Sequence, residues 1–174
     1  MLPATGAVVG VEIERKFRLR RAPSQEVLER HGARIRRLQQ VYLIGSPSRR
    51  IRRITYDDGR VEHRLTRKER LRAFASREDE RLIDAETYLD LLAEADPERR
   101  PVHKVRHVVP HGTHALEIDV FEAPAGLVLL EVELRDDDEP IELPDWLGEW
   151  REVTGDPAFQ NLNLARTGAV VPRW

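Results

Sequence analysis

Pairs of like charges two residues apart recur along this chain: Glu12 and Glu14, Arg50 and Arg52, Glu78 and Glu80, Lys104 and Arg106, Glu117 and Asp119, Glu131 and Glu133. Each pair sits in a run with strand character, and on a strand residues i and i+2 point to the same face. For one strand alone, a charged face is most simply a solvated face. Solvated faces, however, usually mix Thr, Ser, Gln, Lys and Glu. Like charges side by side are unfavourable unless something of opposite sign stands between them. Here the sign also changes from strand to strand, as if one wall were acidic and another basic. A closed barrel with a polar lumen accounts for the pattern. Its apolar faces would pack outward against helices and a partner subunit. Its charged faces would look inward on a channel. Ions in an empty interior lose hydration at high cost. A ligand with several negative charges, together with hard cations, would satisfy both walls.

The turn signals are spaced for such a barrel. Gly45-Ser46-Pro47, Asp57-Asp58-Gly59, Pro110-His111-Gly112, Pro124-Ala125-Gly126 and Asp136-Asp137-Asp138 divide the chain into short runs. The expected strands cover residues 8–20, 41–45, 49–56, 60–68, 72–83, 102–109, 113–122 and 128–135. Asp58-Gly59 sits where a two-residue hairpin turn is expected. Ser24 would cap a short helix over 24–31. Asp84 would cap a clearer one over 84–95, with Tyr88, Leu91, Leu92 and Ala95 on one face. Two more short helices are expected near 144–153 and 157–165. The fold class is therefore mainly β: an eight-stranded antiparallel barrel forming a tunnel, with a few external helices and a helical C-terminal segment.

Composition narrows the chemistry. At 174 residues the expectation is a single domain over 1–174 with its core at about 8–166. The chain carries 29 Lys and Arg against 31 Asp and Glu, a net charge of −2. That balance argues against a general nucleic-acid binder. There is no cysteine, so any metal must be held by oxygen or imidazole. No apolar run approaches the about 20 residues of a membrane helix. Met1 through Gly6 shows no signal-peptide pattern, and a cytoplasmic protein is the expectation. There is no Gly-x-x-x-x-Gly-Lys loop and no Gly-x-Ser-x-Gly elbow. His103 and His107 read as surface residues opposite Lys104 and Arg106, and His111 and His114 as turn residues. Trp146 and Trp150 read as packing the C-terminal segment.

Glu12-Ile13-Glu14-Arg15-Lys16 resembles the Glu-x-Glu-x-Lys signature that opens the CYTH superfamily, the triphosphate tunnel metalloenzymes. The resemblance runs from about Val11 to Ala165. It continues through Arg50 and Arg52, Leu65-Thr66 with Lys68, Glu78 and Glu80, and Lys104 and Arg106. It then passes through Glu117, Asp119 and Phe121, Glu131 and Glu133, and Trp146-Leu147-Gly148. It implies an eight-stranded tunnel acting on triphosphates: inorganic tripolyphosphate, thiamine triphosphate, RNA 5′-triphosphate ends, or ATP in an adenylyl cyclase branch. By that resemblance Lys16, Arg50, Arg52, Lys68, Lys104 and Arg106 would bind phosphate. Glu12, Glu14, Asp119, Glu131 and Glu133 would hold one or two Mg²⁺ or Mn²⁺ ions. Glu12, Glu14, Lys16, Glu78 and Glu80 would make up the catalytic lining. The leading expectation is a metal-dependent inorganic triphosphatase, a small-molecule enzyme with a possible homodimer. An adenylyl cyclase, a thiamine triphosphatase and a non-catalytic polyphosphate- or nucleotide-binding module remain open. Arg53 and Arg67 add charge on the outward register, and Asp79 and Arg81 stand where apolar residues are expected. Gln160 and Asn163 occupy places where some relatives carry lysines.

Overall fold

The computed structural model describes residues 8–46 and 48–174. The stretch from Met1 to Gly6, and Pro47 of the first turn signal, lie outside the described residues. Eight antiparallel strands close into a barrel: β1 (Val8–Leu19), β2 (Arg34–Tyr42), β3 (Arg49–Tyr56), β4 (Val61–Arg70), β5 (Ala75–Ile83), β6 (Val102–His111), β7 (His114–Phe121) and β8 (Val128–Leu134). The order around the barrel is β5-β4-β3-β2-β6-β7-β8-β1, and β1 pairs back onto β5. β1 closes the barrel because it is long enough to serve two neighbours. Val8–Ile13 pairs with β5 and Ile13–Leu19 with β8. Where β5 leaves its edge, a three-residue strand β9 (Trp150–Glu152) pairs with Phe17–Leu19.

Apolar side chains sit outside the barrel wall. Phe17, Leu116, Ile118, Leu130 and Val132 are buried with Leu28 of α1 (Gln25–Arg30) and with Leu147 of a 3-10 turn. A second cluster places Tyr88 of α2 (Ala85–Leu92) on Val41, Leu43 and Ile51. Each such side chain contributes about 1.5–3 kcal/mol by leaving water. The helix starts follow the sequence: Ser24 accepts from the Val27 amide and Asp84 from the Thr87 amide. A third cluster lies on the inward face at one end. There Tyr42, Phe121 and Leu129 meet Val153, Phe159, Leu164 and Ala165 of the C-terminal segment.

Four expectations are corrected. The second strand is Arg34–Tyr42 rather than 41–45, because pairing to both β3 and β6 holds a segment with charges on both faces in extended form. The region 144–153 is not a helix. It makes a 3-10 turn at Asp145–Leu147 and then β9, whose ladder bonds come from the free edge of β1. The region 157–165 is a 3-10 turn (Pro157–Phe159) followed by a single α turn, α3 (Asn161–Leu164). The β3–β4 turn has three residues between its closing pair: the Tyr56 amide donates to Arg60 at 2.9 Å, and Gly59 takes φ 83°. In β5, Arg77, Asp79 and Arg81 are exposed on the outer face, which fixes Glu78 and Glu80 as inward.

Candidate active site

Alternation along the strands delivers the charges to one cavity of about 640 Å³. β1 contributes Glu12, Glu14 and Lys16; β3 contributes Arg50 and Arg52; β4 contributes Arg64 and Lys68; β5 contributes Glu78 and Glu80. β6 adds Lys104 and Arg106, β7 adds Glu117, and β8 adds Glu131 and Glu133. Asp119 is the one residue of the expected set that does not line the cavity. It is fully buried, and its carboxylate accepts from Lys104 and from Arg106 Nε at 2.7 Å. β2 supplies what the sequence reading missed: Arg36, Leu38, Gln40 and Tyr42. Their i, i+2 spacing was the available signal, but without like charges it resembled no functional pattern. Arg64 of β4 belongs to no like-charge pair yet lines the cavity, as do Arg70, Gln160 and Asn161. Asn163 instead donates to the Pro157 carbonyl at 2.8 Å.

The acidic and basic walls are cross-paired. Lys16 stands 2.9 Å from Glu131 and 3.7 Å from Glu14. Lys68 stands 2.5 Å from Glu12 and 3.6 Å from Glu14. Glu78 takes Arg50 at 3.0 Å and Arg52 at 3.4 Å. Glu80 accepts from Arg52, from Arg64 at 2.5 Å and from Thr66 at 2.9 Å. Arg106 bridges Asp119, Glu117 and Glu131, the last at 2.6 Å.

The protonation tendencies follow the partners. Burial opposes the charged form of Lys16, but Glu131 and Glu14 outweigh it and hold the ammonium above its ordinary range. Burial likewise opposes the charge on Glu80, yet Arg52, Arg64 and Thr66 bring it down to about 2. Glu131 is held well below the usual carboxylate range despite its burial, by Lys16, Lys104 and Arg106. Glu133 is the exception. Burial and then the carboxylates of Glu12, Glu117 and Glu14 push it up, and no cation pairs with it among the described residues.

Among the described residues no three carboxylates or imidazoles already stand together in an arrangement that could hold an ion. The distances supply a reason. The ammonium groups of Lys68 and Lys16 stand among Glu12, Glu14 and Glu131 as internal counter-ions. The donor set is nonetheless all oxygen, the kind Mg²⁺ and Mn²⁺ take. Glu133 is a carboxylate still lacking a cation, so the residues fit such an ion.

Nine basic side chains (Lys16, Arg36, Arg50, Arg52, Arg64, Lys68, Arg70, Lys104, Arg106) and eight acidic ones (Glu12, Glu14, Glu78, Glu80, Glu117, Glu131, Glu133, Asp156) line the cavity. The balance is close, yet donors are left over. The Nε groups of Arg50, Arg52 and Arg64 are buried without a partner among the described residues.

The other motifs are structural. Trp146 stacks on His31 at 4.7 Å, and Trp150 meets Phe17 edge-on at 5.4 Å. His103 and His107 flank the inward residues Lys104 and Arg106 on β6 and so face out, half-buried. No helix among the described residues is long and apolar enough to cross a membrane.

No family model matches the chain. Against curated proteins it is 39% identical over 70 residues to an inorganic triphosphatase of Acetivibrio thermocellus, a match that takes in 40% of this chain. The chain spans 44% of the length of that relative. Among solved structures it is similar to the inorganic triphosphatase NE1496, with 30% identity and a TM-score of 0.56 over 88% of this chain and 97% of that one. It also shares its fold with the PH1012 protein of Pyrococcus horikoshii, at 23% identity and a TM-score of 0.52, covering 73% of this chain and 80% of that one.

Proposed function

Because the chain belongs to the CYTH superfamily, the triphosphate tunnel metalloenzymes, we propose that it is a divalent-metal-dependent hydrolase of triphosphates, with inorganic tripolyphosphate as its first substrate. The observation that carries this reading is the set of unpartnered guanidinium donors in a charge-balanced cavity. Buried N–H groups without acceptors are costly, and phosphate oxygens are the acceptors that planar guanidinium groups match best. A triphosphate brings about four negative charges at neutral pH. Entering a cavity already near neutrality, it needs divalent cations to come with it. Glu12, Glu14, Glu131 and Glu133 are the residues that would hold them. There the ion would supply Lewis acidity toward phosphoryl oxygens and acidify an attacking water.

The chain's own residues do the rest. Arg50, Arg52, Lys68, Lys104, Arg106 and Lys16 grip the phosphate oxygens and offset charge on the transferring group. Lys68 neutralises Glu12 and Glu14, and it would be free to reach phosphate oxygens if those carboxylates held a cation. Glu78 and Glu80 hold Arg50 and Arg52 in place. Asp119 anchors Lys104 and Arg106 from beneath the floor.

Phosphate release from tripolyphosphate, pyrophosphate, ATP, GTP and thiamine triphosphate tests the proposal, with Mg²⁺ or Mn²⁺ and an EDTA control. EDTA-sensitive release fastest from tripolyphosphate is the expected outcome. A cyclic product from ATP would replace it with the cyclase, and fastest release from thiamine triphosphate with that activity. Tight triphosphate binding without turnover would leave a binding module.

A further inference from the structure

Arg18 continues the series Glu12, Glu14 and Lys16 along one face of β1, yet it does not line the cavity. It lies where the C-terminal segment packs, and its ladder partners are Leu129 of β8 on one side and Arg151 of β9 on the other. Two arginines thus stand directly opposite each other on an antiparallel pair, and like charges so placed repel. The carboxylates beside them are taken: Glu152 by Arg15 at 2.6 Å and Glu149 by Arg20 at 2.9 Å. Among the described residues, Arg18 and Arg151 find only backbone acceptors, the carbonyls of Pro172 and, at 3.4 Å, of Arg173. Arg151 Nε is buried with no partner among them. Two aromatic rings hold the pair. The Arg18 guanidinium carbon lies 5.6 Å from the centre of the Phe159 ring and 5.5 Å from that of Trp174, and that of Arg151 lies at 5.9 and 5.7 Å. Ring faces attract a guanidinium but take none of its N–H bonds in its plane. Burial and the Arg151 charge both push the Arg18 guanidinium below its ordinary range. Both arginines are half-buried and Trp174 is 41% exposed, so the pair is within reach of solvent.

We propose that Arg18 and Arg151 form a second anion site, outside the tunnel, that takes one dianionic phosphate group. Two adjacent guanidinium groups without a carboxylate carry two uncompensated positive charges. A phosphate group brings about two negative charges at neutral pH and several oxygens, so one group can bridge both arginines. A carboxylate or a chloride ion compensates only one of them. The bound group would supply the acceptor that Arg151 Nε lacks and replace the weak contact to the Arg173 carbonyl. The ligand is inorganic phosphate or the phosphate of a monoester, since the site needs only the charged group. The inference does not depend on what the tunnel hydrolyses, because none of Arg18, Arg151 and Trp174 lines it.

The test is NMR of the arginine Nε–H groups during titration with inorganic phosphate, glycerol 3-phosphate, acetate and chloride at matched ionic strength. The Arg151 signal is identified by its loss in Arg151→Gln. It should shift saturably with a phosphate compound, and the tighter of the two identifies the source of the group. Arg18→Gln should weaken that response about tenfold, the scale of a hydrogen bond between charged groups. Any response of the tunnel residues Arg50 and Arg52 should be the same in wild type and in Arg18→Gln, which separates this site from the cavity. Arg151→Gln removes the reporter itself and is read by melting instead: saturating phosphate should raise the Tm of wild type by more than it raises that of either variant. An Arg151 signal that phosphate leaves in place overturns the site. So does a response equally strong with chloride or acetate, an unchanged affinity in Arg18→Gln, or equal phosphate-induced Tm gains in all three proteins.

Discussion

Asp119 and Glu133 carry the same functional group, and the sequence assigns them the same task, yet they occupy opposite kinds of environment. Asp119 is fully buried, with Lys104 and Arg106 engaging its oxygens. Glu133 faces other carboxylates and has no cation partner among the described residues. One corner of the tunnel is a finished ion cluster in which each charge is compensated from within. The other is short of positive charge. Buried ions are tolerated where they are paired, so the first corner can hold the barrel's shape alone. The second is open to solvent at Glu133, and a cation from outside would relieve the repulsion among its carboxylates. Role is set by the number and sign of neighbours, and a local charge pattern does not contain that number.

Breaking the finished corner should give the largest effect. Asp119→Ala leaves Lys104 and Arg106 without their main partner, and removing one member of a buried pair costs about 3–5 kcal/mol. Urea unfolding should show a loss on that scale, and a loss under 1 kcal/mol would mean water already reaches the cluster. Glu133→Gln should behave in the opposite way. It should leave stability unchanged or raise it, because like-charge repulsion is relieved, while Mn²⁺ binding measured by EPR and turnover both fall to background. Glu131→Gln stands between the two. Its carboxylate pairs with Lys16 and Arg106, so it should lose stability and turnover together.

The legible part of the molecule is the part whose charges alternate. β1, β3, β6, β7 and β8 were readable because like charges at i and i+2 alternate with Val, Ile and Leu. β2 was misplaced because Arg34, Arg36 and Arg37 put charge on both faces and the outer face at Ile35 and Arg37 stays exposed, so neither period stands out. β9 is three residues long and exists only because β1 has an unpaired edge there. Sequence pattern also placed the charges on the inner face without pairing them. Which cation takes Asp119, and that none takes Glu133, depends on barrel register and side-chain reach.

Acid should separate a paired carboxylate from an unpaired one by sign. Glu80 lies at about 2, below its ordinary value of 4.5, because Arg52 and Arg64 favour its charged form. Its contribution is therefore fully present above pH 4.5 and is lost as pH falls from there toward 2. Glu133 is shifted upward, so its contribution is unfavourable at neutral pH and is relieved as it takes up a proton. Unfolding curves of Glu80→Gln and Glu133→Gln against pH check this. The first variant should be less stable than wild type at pH 7 and converge with it in acid. The second should be equal or more stable at pH 7 and lose that advantage on acidification. Two parallel profiles would refute the contrast.

The smallest effect should come from an ion pair with better geometry than most in the tunnel. Arg15 lies on the outer face of β1 and meets Glu152 of β9 through two bonds of 2.9 and 2.6 Å. Both side chains remain partly exposed, at 28% and 36%. Water competes for each charge, so a double-mutant cycle of Arg15→Ala and Glu152→Ala should return a coupling of about 0.5 kcal/mol. Arg15 also lies 5.1 Å from the centre of the Phe17 ring, so the single substitution should cost slightly more than the coupling. A coupling as large as the Asp119 effect would mean that β9 shields the pair from solvent. The contrast between interior and exterior charges would then rest on pairing geometry instead of on hydration.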